Sequence, residues 1–340
     1  MTCVRFRWLV GLVFAGVVLG CSAPLAKAAT RIKLATLAPT GSAYHKSLMR
    51  LRDEWRQASN GSVNLVVYAD GKLGGEADTV GLMGLNSIQA SLLTAVGLSE
   101  IEPGAEGLQS IPMGFRDLAE VDFVGERLRP LLEQRLAAKG FVVLFWTDAG
   151  WVHFFTKSPV NTPDDLKRMK LFTWAGSPET VRIYKSAGFN VIPLETADIL
   201  PSLQTGMIDA APAPPVFALA GQVDTRAPHM LQVNWGPLVG ACVVRKETWD
   251  AIPANLREAM AKSALEVGRE IKELGRQESR EAVQAMERRG LKVAKPTPEV
   301  EAQWRAAAEA VYPEIRGSIV PADVFDQAMQ ALKEYRAGAR

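Results

Sequence analysis

The sequence predicts an α/β protein of two lobes, on three observations. Strand and helix patterns alternate along most of the chain, as expected of mostly parallel sheets covered by helices. Phe141 to Trp146 is a continuous apolar run, the mark of a strand buried on both faces. A helical spacing of apolar residues continues from Pro253 to about Gly290 through Leu256, Met260, Val267, Ile271, Leu274 and Met286. At 1.5 Å per residue, an unbroken helix of that extent is ~55 Å long, more than one lobe is wide. It spans both lobes unless it breaks at Gly268 or Gly275.

The elements follow in order. Arg31 to Thr36 alternates like a strand, Pro39-Thr-Gly41 interrupts it, and Ser42 caps a helix with Tyr44, Leu48, Leu51 and Trp55 on one face. Asn60-Gly61 turns into a strand over Val63 to Tyr68. The loop Asp70 to Gly75 leads into a helix over Glu76 to Leu85. A second unit begins near Trp151, with Val152 to Thr156 as a strand and Thr162-Pro-Asp-Asp165 as a helix start. Lys170 to Thr173 and Asn190 to Leu194 read as strands around a helix with Val181 and Tyr184. Pro212-Ala-Pro-Pro215 is expected to prevent regular structure and to cross between lobes. Val239 to Val244 is one more strand, and Glu299 to Tyr312 and Ala322 to Tyr335 close the chain as helices. The expected division is 1–28 as an export signal, 31–150 plus 238–275 as the first lobe, and 151–237 plus 276–338 as the second.

The N-terminus supports export. Arg5 and Arg7 precede an apolar run from Trp8 to Gly20, shorter than the ~20 residues a spanning helix needs. Two cleavage sites compete. Val18-Leu-Gly-Cys21 resembles a lipobox, which would make Cys21 the lipidated first residue; Ala26-Lys-Ala28 is an ordinary small-x-small site. The lipobox is the favoured reading. Cys3 leaves with the signal, and Cys242 stands alone in the apolar run Leu238 to Val244, where it reads as a small buried hydrophobe.

Charge excludes several partners. The chain has 39 basic and 37 acidic residues, and loss of residues 1–20 removes two arginines and no acid. A neutral mature protein has no electrostatic footprint for nucleic acid or anionic lipid. His45, His153 and His229 are not spaced for a metal, and no Gly-x-Ser-x-Gly elbow or phosphate loop is present. Asp164-Asp165 suits the start of a helix. No cofactor and no catalytic constellation is expected.

Five segments, in order, carry a resemblance. They are Gly71-Lys-Leu-Gly-Gly-Glu76, Ile111-Pro-Met-Gly-Phe115, Gly140 to Trp146 followed by Gly150-Trp-Val-His-Phe154, Thr162-Pro-Asp-Asp-Leu-Lys-Arg-Met-Lys-Leu-Phe-Thr-Trp174, and Leu203-Gln-Thr-Gly-Met-Ile-Asp209. Over roughly 31–335 the chain resembles the DctP-type solute-binding proteins of tripartite ATP-independent periplasmic (TRAP) transporters. The resemblance implies a two-lobed periplasmic-binding-protein fold of type II-like form, with a long helix spanning both lobes. It implies an extracytoplasmic receptor that hands a solute to TRAP membrane permease subunits.

The same resemblance places a ligand site at Thr36, Pro39, Tyr44, Glu76, Thr94, Trp151, Val152, Phe172, Trp174, Ala213, Pro214, Phe217 and Trp235. Three of these depart from the family pattern. Phe172 stands where a carboxylate-clamping arginine is usual, Val152 replaces a second arginine, and Ala213 replaces an asparagine. A guanidinium gives a bidentate grip on a carboxylate, and a phenyl ring gives none. Arg168 and Lys170 lie on the wrong side of the strand start to substitute.

These departures, with the aromatic residues around them, point to a hydrophobic or amphipathic ligand. They resemble an atypical, lipid-anchored branch that can work with a tetratricopeptide-repeat partner protein. The alternatives are a lipid-binding or sensory lipoprotein without a permease, and an enzyme on a binding-protein-like fold.

Overall fold

The computed structural model describes residues 29–338; the expected export signal over 1–28, with Cys21 and both cleavage sites, lies outside the described residues. The first lobe begins with β1 (Thr30–Thr36), α1 (Ala43–Ala58), β2 (Val63–Tyr68), α2 (Glu76–Gly84), β3 (Ala90–Thr94), α3 (Ala95–Ser99) and α4 (Leu118–Ala138). A strand of 16 residues, β4 (Phe141–Thr156), then carries the chain into the second lobe. That lobe holds α5 (Pro163–Lys167), β5 (Lys170–Trp174), α6 (Pro178–Ser186), β6 (Asn190–Leu194), α7 (Ile199–Thr205), β7 (Ala210–Ala213) and α8 (Pro215–Ala220). The return is a strand of 17 residues, β8 (His229–Arg245). The chain ends with α9 (Lys246–Asp250), α10 (Ala254–Glu287), β9 (Lys292–Ala294), α11 (Pro298–Glu309), α12 (Tyr312–Ile315) and α13 (Ala322–Arg336).

Local chemistry accounts for several boundaries. Ser42 caps α1 by accepting the His45 N–H at 3.3 Å, and Tyr44, Leu48, Leu51 and Trp55 are buried on one face as their spacing requires. Thr162 and Asp165 form a reciprocal capping box, with Pro163 at the first position of α5.

Among the described residues, nine strands join one sheet in the order β2-β1-β3-β8-β4-β7-β5-β6, with β9 added on β8. The pairs β1–β2, β1–β3, β5–β6 and β5–β7 are parallel, whereas β8 runs antiparallel to β3 and β4. The sequence reading expected mostly parallel sheets. It missed that Phe141–Trp146 and Val152–Thr156 are one strand, and that this strand and β8 form an antiparallel ladder through both lobes.

α10 is unbroken over its 34 residues, ~51 Å at the usual rise. Met260, Ala264, Val267 and Ile271 pack in the first lobe's core with Leu48 and Trp55, while Ala282 and Met286 join Phe155 in the second. It therefore spans both lobes. Gly268 and Gly275 do not break it; they lie against Phe145 and Tyr44, where a Cβ would come within 2.4 and 2.3 Å of those side chains.

One expectation needs correction. Pro212 does not prevent regular structure: it lies in β7 opposite Phe154 of β4. The ladder from β7 to β5 is a single pair, Leu171 with Ala210, so one side of Pro212 has no ladder to interrupt. Pro214 caps α8 and Pro215 opens it. The crossing is therefore made by β4, β8 and α10 rather than by residues 212–215. Val324, Phe325 and Ala328 of α13 pack with Val124 and Leu128 of α4. Arg336 also donates to Glu120 of α4 at 2.7 Å.

Candidate ligand site

Where β4 leaves the first lobe it is irregular. Its register against β8 shifts between Val143 and Phe145, between Asp148 and Trp151, and between Val152 and Phe154. Gly150, in the middle shift, has φ +77°, a left-handed conformation that side chains resist. The centre of α10 holds this bend. Ser279 donates its hydroxyl to the Ala149 carbonyl at 2.9 Å, and Arg276 donates to both carboxylate oxygens of Asp148. From α1, Tyr44 donates its hydroxyl to the Asp148 carbonyl at 2.8 Å. Burial, reinforced by Asp148, pushes the Tyr44 phenol well above its ordinary pKa, so it remains a donor.

The expected first-lobe residues fall on β1, α1, α2 and β3 and, for Pro39, on the loop after β1, but their polar groups are mostly used internally. The Glu76 carboxylate accepts the Thr94 N–H at 2.6 Å and the Thr94 hydroxyl at 2.5 Å. Burial raises the Glu76 pKa despite these bonds. The Thr36 hydroxyl accepts the Ala38 N–H at 3.1 Å, and the Pro39 carbonyl accepts the Ser42 hydroxyl at 2.7 Å. Thr36 and Glu76 also line a small cavity with Tyr68, Thr79 and Ser91, between β1, β3 and α2.

The second-lobe residues separate into two inner groups and two tryptophans that lie apart from them and from each other. Phe172 is fully buried in a cluster with Phe155, Ala211, Ala213, Ala218 and Met286. The Trp174 ring meets Phe172 edge-on at 5.0 Å, and the Trp174 indole N–H donates to Thr196 at 3.3 Å. Val152 instead lies in the core with Tyr44, against which Phe217 also packs; the Tyr44 and Phe217 rings are 6.3 Å apart. Pro214 stands between these groups as the cap of α8.

Trp235 is elsewhere. It packs against Phe154 at 5.3 Å and Trp304 at 5.9 Å, and donates its indole N–H to the Tyr184 hydroxyl at 3.1 Å. Phe154 and Phe155 alternate on β4, so Trp235 lies on the sheet face opposite Phe172. Trp151 packs with residues of α4 and α13. The structure thus brings Phe172, Trp174 and Ala213 together, and Val152, Tyr44 and Phe217 together, but leaves Trp151 and Trp235 apart from both.

Neither inner group contains a cation. Lys170 begins the same strand as Phe172, yet its ammonium donates to the Gly206 carbonyl and lies 3.9 Å from Asp209. Asp165 is occupied by its capping box, and among the described residues no group of His, Cys, Asp and Glu could hold a metal ion. Sequence reasoning missed Asp122, Asp148, Lys272, Arg276 and Ser279. Gly150 beside Asp148 was the one local signal that the chain bends there.

A sheet whose two halves are joined by two long strands and one long helix, with candidate contact residues drawn from both halves, defines a two-lobed solute-binding protein. The family model for bacterial extracellular solute-binding protein, family 7 (DctP), matches residues 34–317, and the chain belongs to that family. Among curated relatives, the C4-dicarboxylate-binding periplasmic protein DctP of Rhodobacter capsulatus is 25% identical over 265 residues, covering 76% of this chain and 78% of its own. The 2,3-diketo-L-gulonate-binding periplasmic protein YiaO of Escherichia coli K12 is also 25% identical, covering 73% and 76%.

Solved structures share the fold. A TRAP periplasmic solute-binding protein of Pseudomonas putida F1 with bound D-glucuronate superposes with a TM-score of 0.81 at 21% identity, covering 91% of this chain and 99% of its own. One from Sulfurospirillum deleyianum with bound succinate gives 0.81 at 20% identity, covering 90% and 99%. The family's members are periplasmic receptors for small solutes that work with membrane permeases, not enzymes. Among the described residues no helix is long and apolar enough to cross a membrane.

Proposed function

We propose that this receptor takes a hydrophobic or amphipathic solute, placing an apolar part of it against the Phe172–Trp174–Ala213 group. The observation that carries the reading is the apolar makeup of this group at Phe172, with Trp174 as its partly exposed member. By resemblance to the family a guanidinium is expected there. A carboxylate seated against that wall would lose its hydration without gaining a partner, at a cost of several kcal/mol. A second reading has its own support: the four relatives described above are named for, or hold, dicarboxylates and sugar acids. On that reading a small acid binds through backbone amides and hydroxyls, in a manner of its own.

Mass spectrometry of the solute that leaves with the natively purified protein on denaturation decides between them. A lipid-like or prenyl compound supports the first reading, and a C4 dicarboxylate or uronate supports the second. The same reading attaches the receptor to a membrane through Cys21. Labelled palmitate should enter the wild-type protein and not Cys21→Ala, and a mature N-terminus at Ala29 would overturn that attachment. Co-purification with either TRAP permease subunits or a tetratricopeptide-repeat protein would show which of the two receives the solute.

A further inference from the structure

Basic and acidic residues nearly balance over the chain, but they are not evenly placed. Trp174 and Ala213 of the candidate ligand site stand at the ends of β5 and β7. The starts of these strands form the opposite end of the second lobe, where β6, β8 and β9 also begin and β4 stops. The ladders set these ends in one row: Lys170 lies opposite Asn190, Leu171 and Thr156 opposite Ala210, Thr156 opposite His229, and His229 opposite Lys292. At ~4.8 Å between neighbouring strands the row is ~24 Å wide. The C-termini of α5, α6, α7 and α10 reach the same end.

Cations collect on this row. Lys157 and Lys170 share Asp209 at 3.7 and 3.9 Å, Lys167 pairs with Asp164 at 3.1 Å, and Arg289 lies 3.8 Å from the buried Asp224. Arg168, Lys185, Arg226, Arg288 and Lys292 are exposed and in no ion pair among the described residues. Glu287 is the one acid of these segments left exposed and unpaired. Helix C-termini favour cations, which accounts for Arg168, Lys185 and Arg288. Lys292 lies in β9 and Arg226 follows a single 3-10 turn, so neither has an α-helix to complement. Partial burial and then Lys292 hold the His229 pKa below its ordinary value. In the middle of the row the loop before β7 presents Met207, 52% exposed. That loop is pinned by the Lys170 ammonium, which donates to the Gly206 carbonyl, and by the Asp209 N–H, which donates to the Lys170 carbonyl at 2.8 Å.

We propose that this end of the second lobe rests on an anionic membrane surface, with Arg226, Arg288 and Lys292 drawn to lipid phosphates and Met207 entering the headgroup region. A lipid surface offers charge over an area and apolar depth beneath it, which suits spread cations around an apolar side chain. An acidic protein loop would meet the cations but leave Met207 without a partner. The neutral total excludes a long-range attraction of the whole molecule, not a local one, because exposed charges act only within about a Debye length. The family's members work with membrane permeases, so a membrane lies within reach. The proposal needs neither a ligand class nor a lipid on Cys21.

The test is flotation of the purified protein with vesicles of phosphatidylcholine alone and with vesicles in which about a third of the lipid is phosphatidylglycerol. A lipid on Cys21 would act equally on both, so the excess on phosphatidylglycerol isolates the charged surface. That excess should be present at low salt and disappear at about 0.5 M salt. Arg226→Gln, Arg288→Gln and Lys292→Gln together should weaken it by about tenfold or more. Lys46→Gln, Lys139→Gln and Lys262→Gln, which remove three exposed cations of the first lobe that are in no ion pair, should leave it unchanged. Met207→Ser should weaken it several-fold, and no change there would overturn the apolar contact. Equal flotation with the two vesicle types, an excess that survives the second-lobe variant, or an equal loss in the first-lobe variant would each overturn the proposal. Binding to polyglutamate but not to phosphatidylglycerol would overturn it in favour of an acidic protein partner.

Discussion

Arg276, at the middle of the lobe-spanning helix, grips Asp148 at the bend of the lobe-spanning strand with bonds of 2.9 Å from Nε and 2.6 Å from Nη2. The same guanidinium reaches Asp122 of α4 at 2.7 and 3.0 Å, so one side chain ties three elements. Lys272, one turn earlier, is also paired with Asp122 at 2.5 Å. Asp148 is only 3% exposed. These partners hold the Asp122 carboxyl below its ordinary range against the opposing effect of burial, and they raise the Arg276 pKa.

Removing Arg276 leaves the buried Asp148 carboxylate with only Lys272, 4.0 Å away, to offset its charge. Arg276→Met should therefore destabilise the protein by about 3 kcal/mol, the range for breaking a buried pair. Lys272→Met, which leaves the Arg276–Asp148 bonds in place, should cost under about 1 kcal/mol. Urea denaturation of the three proteins checks the order, and equal midpoints for both variants would show that the bend is not held by Arg276.

Close approach of α10 to its neighbours gives a second prediction. A Cβ at Gly268 would come within 2.4 Å of Phe145, and one at Gly275 within 2.3 Å of the Tyr44 hydroxyl. Alanine raises helix propensity, which by itself would stabilise by up to about 1 kcal/mol. Overpacking of about 1–3 kcal/mol opposes it at both sites and should win. Gly81→Ala in α2, with open space around its Cβ, should instead be neutral or stabilising. Thermal unfolding of the three variants reads the sign directly.

His153 supplies a pH dependence. It is buried with Nδ1 2.9 Å from the Val233 carbonyl, and burial lowers its pKa although the carbonyl opposes the shift. A depressed folded pKa means that the unfolded chain takes up the proton first on acidification. The stability is fully present above the ordinary histidine pKa of ~6.5 and is lost as pH falls through the folded value. Glu76 and Glu106, raised by burial, carry the opposite sign and soften the fall. Denaturation midpoints at pH 8, 6 and 5 should decline less in His153→Asn than in wild type. Parallel curves would assign the dependence to other groups.

Much of the fold was legible because its signals are local. Ser42, Thr162 and Pro163 mark helix starts by hydrogen-bond chemistry, and the apolar spacing through Met260, Val267, Ile271 and Met286 follows the helical period along all of α10. The crossing was less legible. Asp148 to Trp151 looks like a turn between two strands, and only the ladder with β8, closed from more than eighty residues away, makes β4 continuous. The site was partly legible for the same reason. Phe172 and Trp174 are adjacent on one strand, but whether Trp235 shares their face depends on the register of β8 against β4, which no local pattern encodes. The pairing of Arg276 with Asp148 is made wholly by tertiary contact.

Phe172 gives the last prediction, on the ligand class proposed above. Its ring is fully buried and packs edge-on against Trp174, so Phe172→Leu keeps an apolar wall while loosening it, at a cost of roughly 1 kcal/mol or more. Phe172→Arg introduces a guanidinium with no carboxylate in its cluster, and should cost several kcal/mol in the free protein. If the site takes apolar groups, burial at ~25 cal/mol per Å² lets a medium-length acyl or prenyl chain reach micromolar affinity after association costs. Calorimetry of the wild-type protein should then give binding to such a ligand and none to succinate or glucuronate. Phe172→Leu should weaken that binding by less than tenfold, and Phe172→Arg should abolish it. A gain of succinate or glucuronate binding by Phe172→Arg would place residue 172 at the carboxylate position, even though Val152 and Ala213 lack the other polar groups. Tight binding of a C4 dicarboxylate by the wild-type protein would overturn the apolar reading and leave the fold and the Arg276–Asp148 bend as they are.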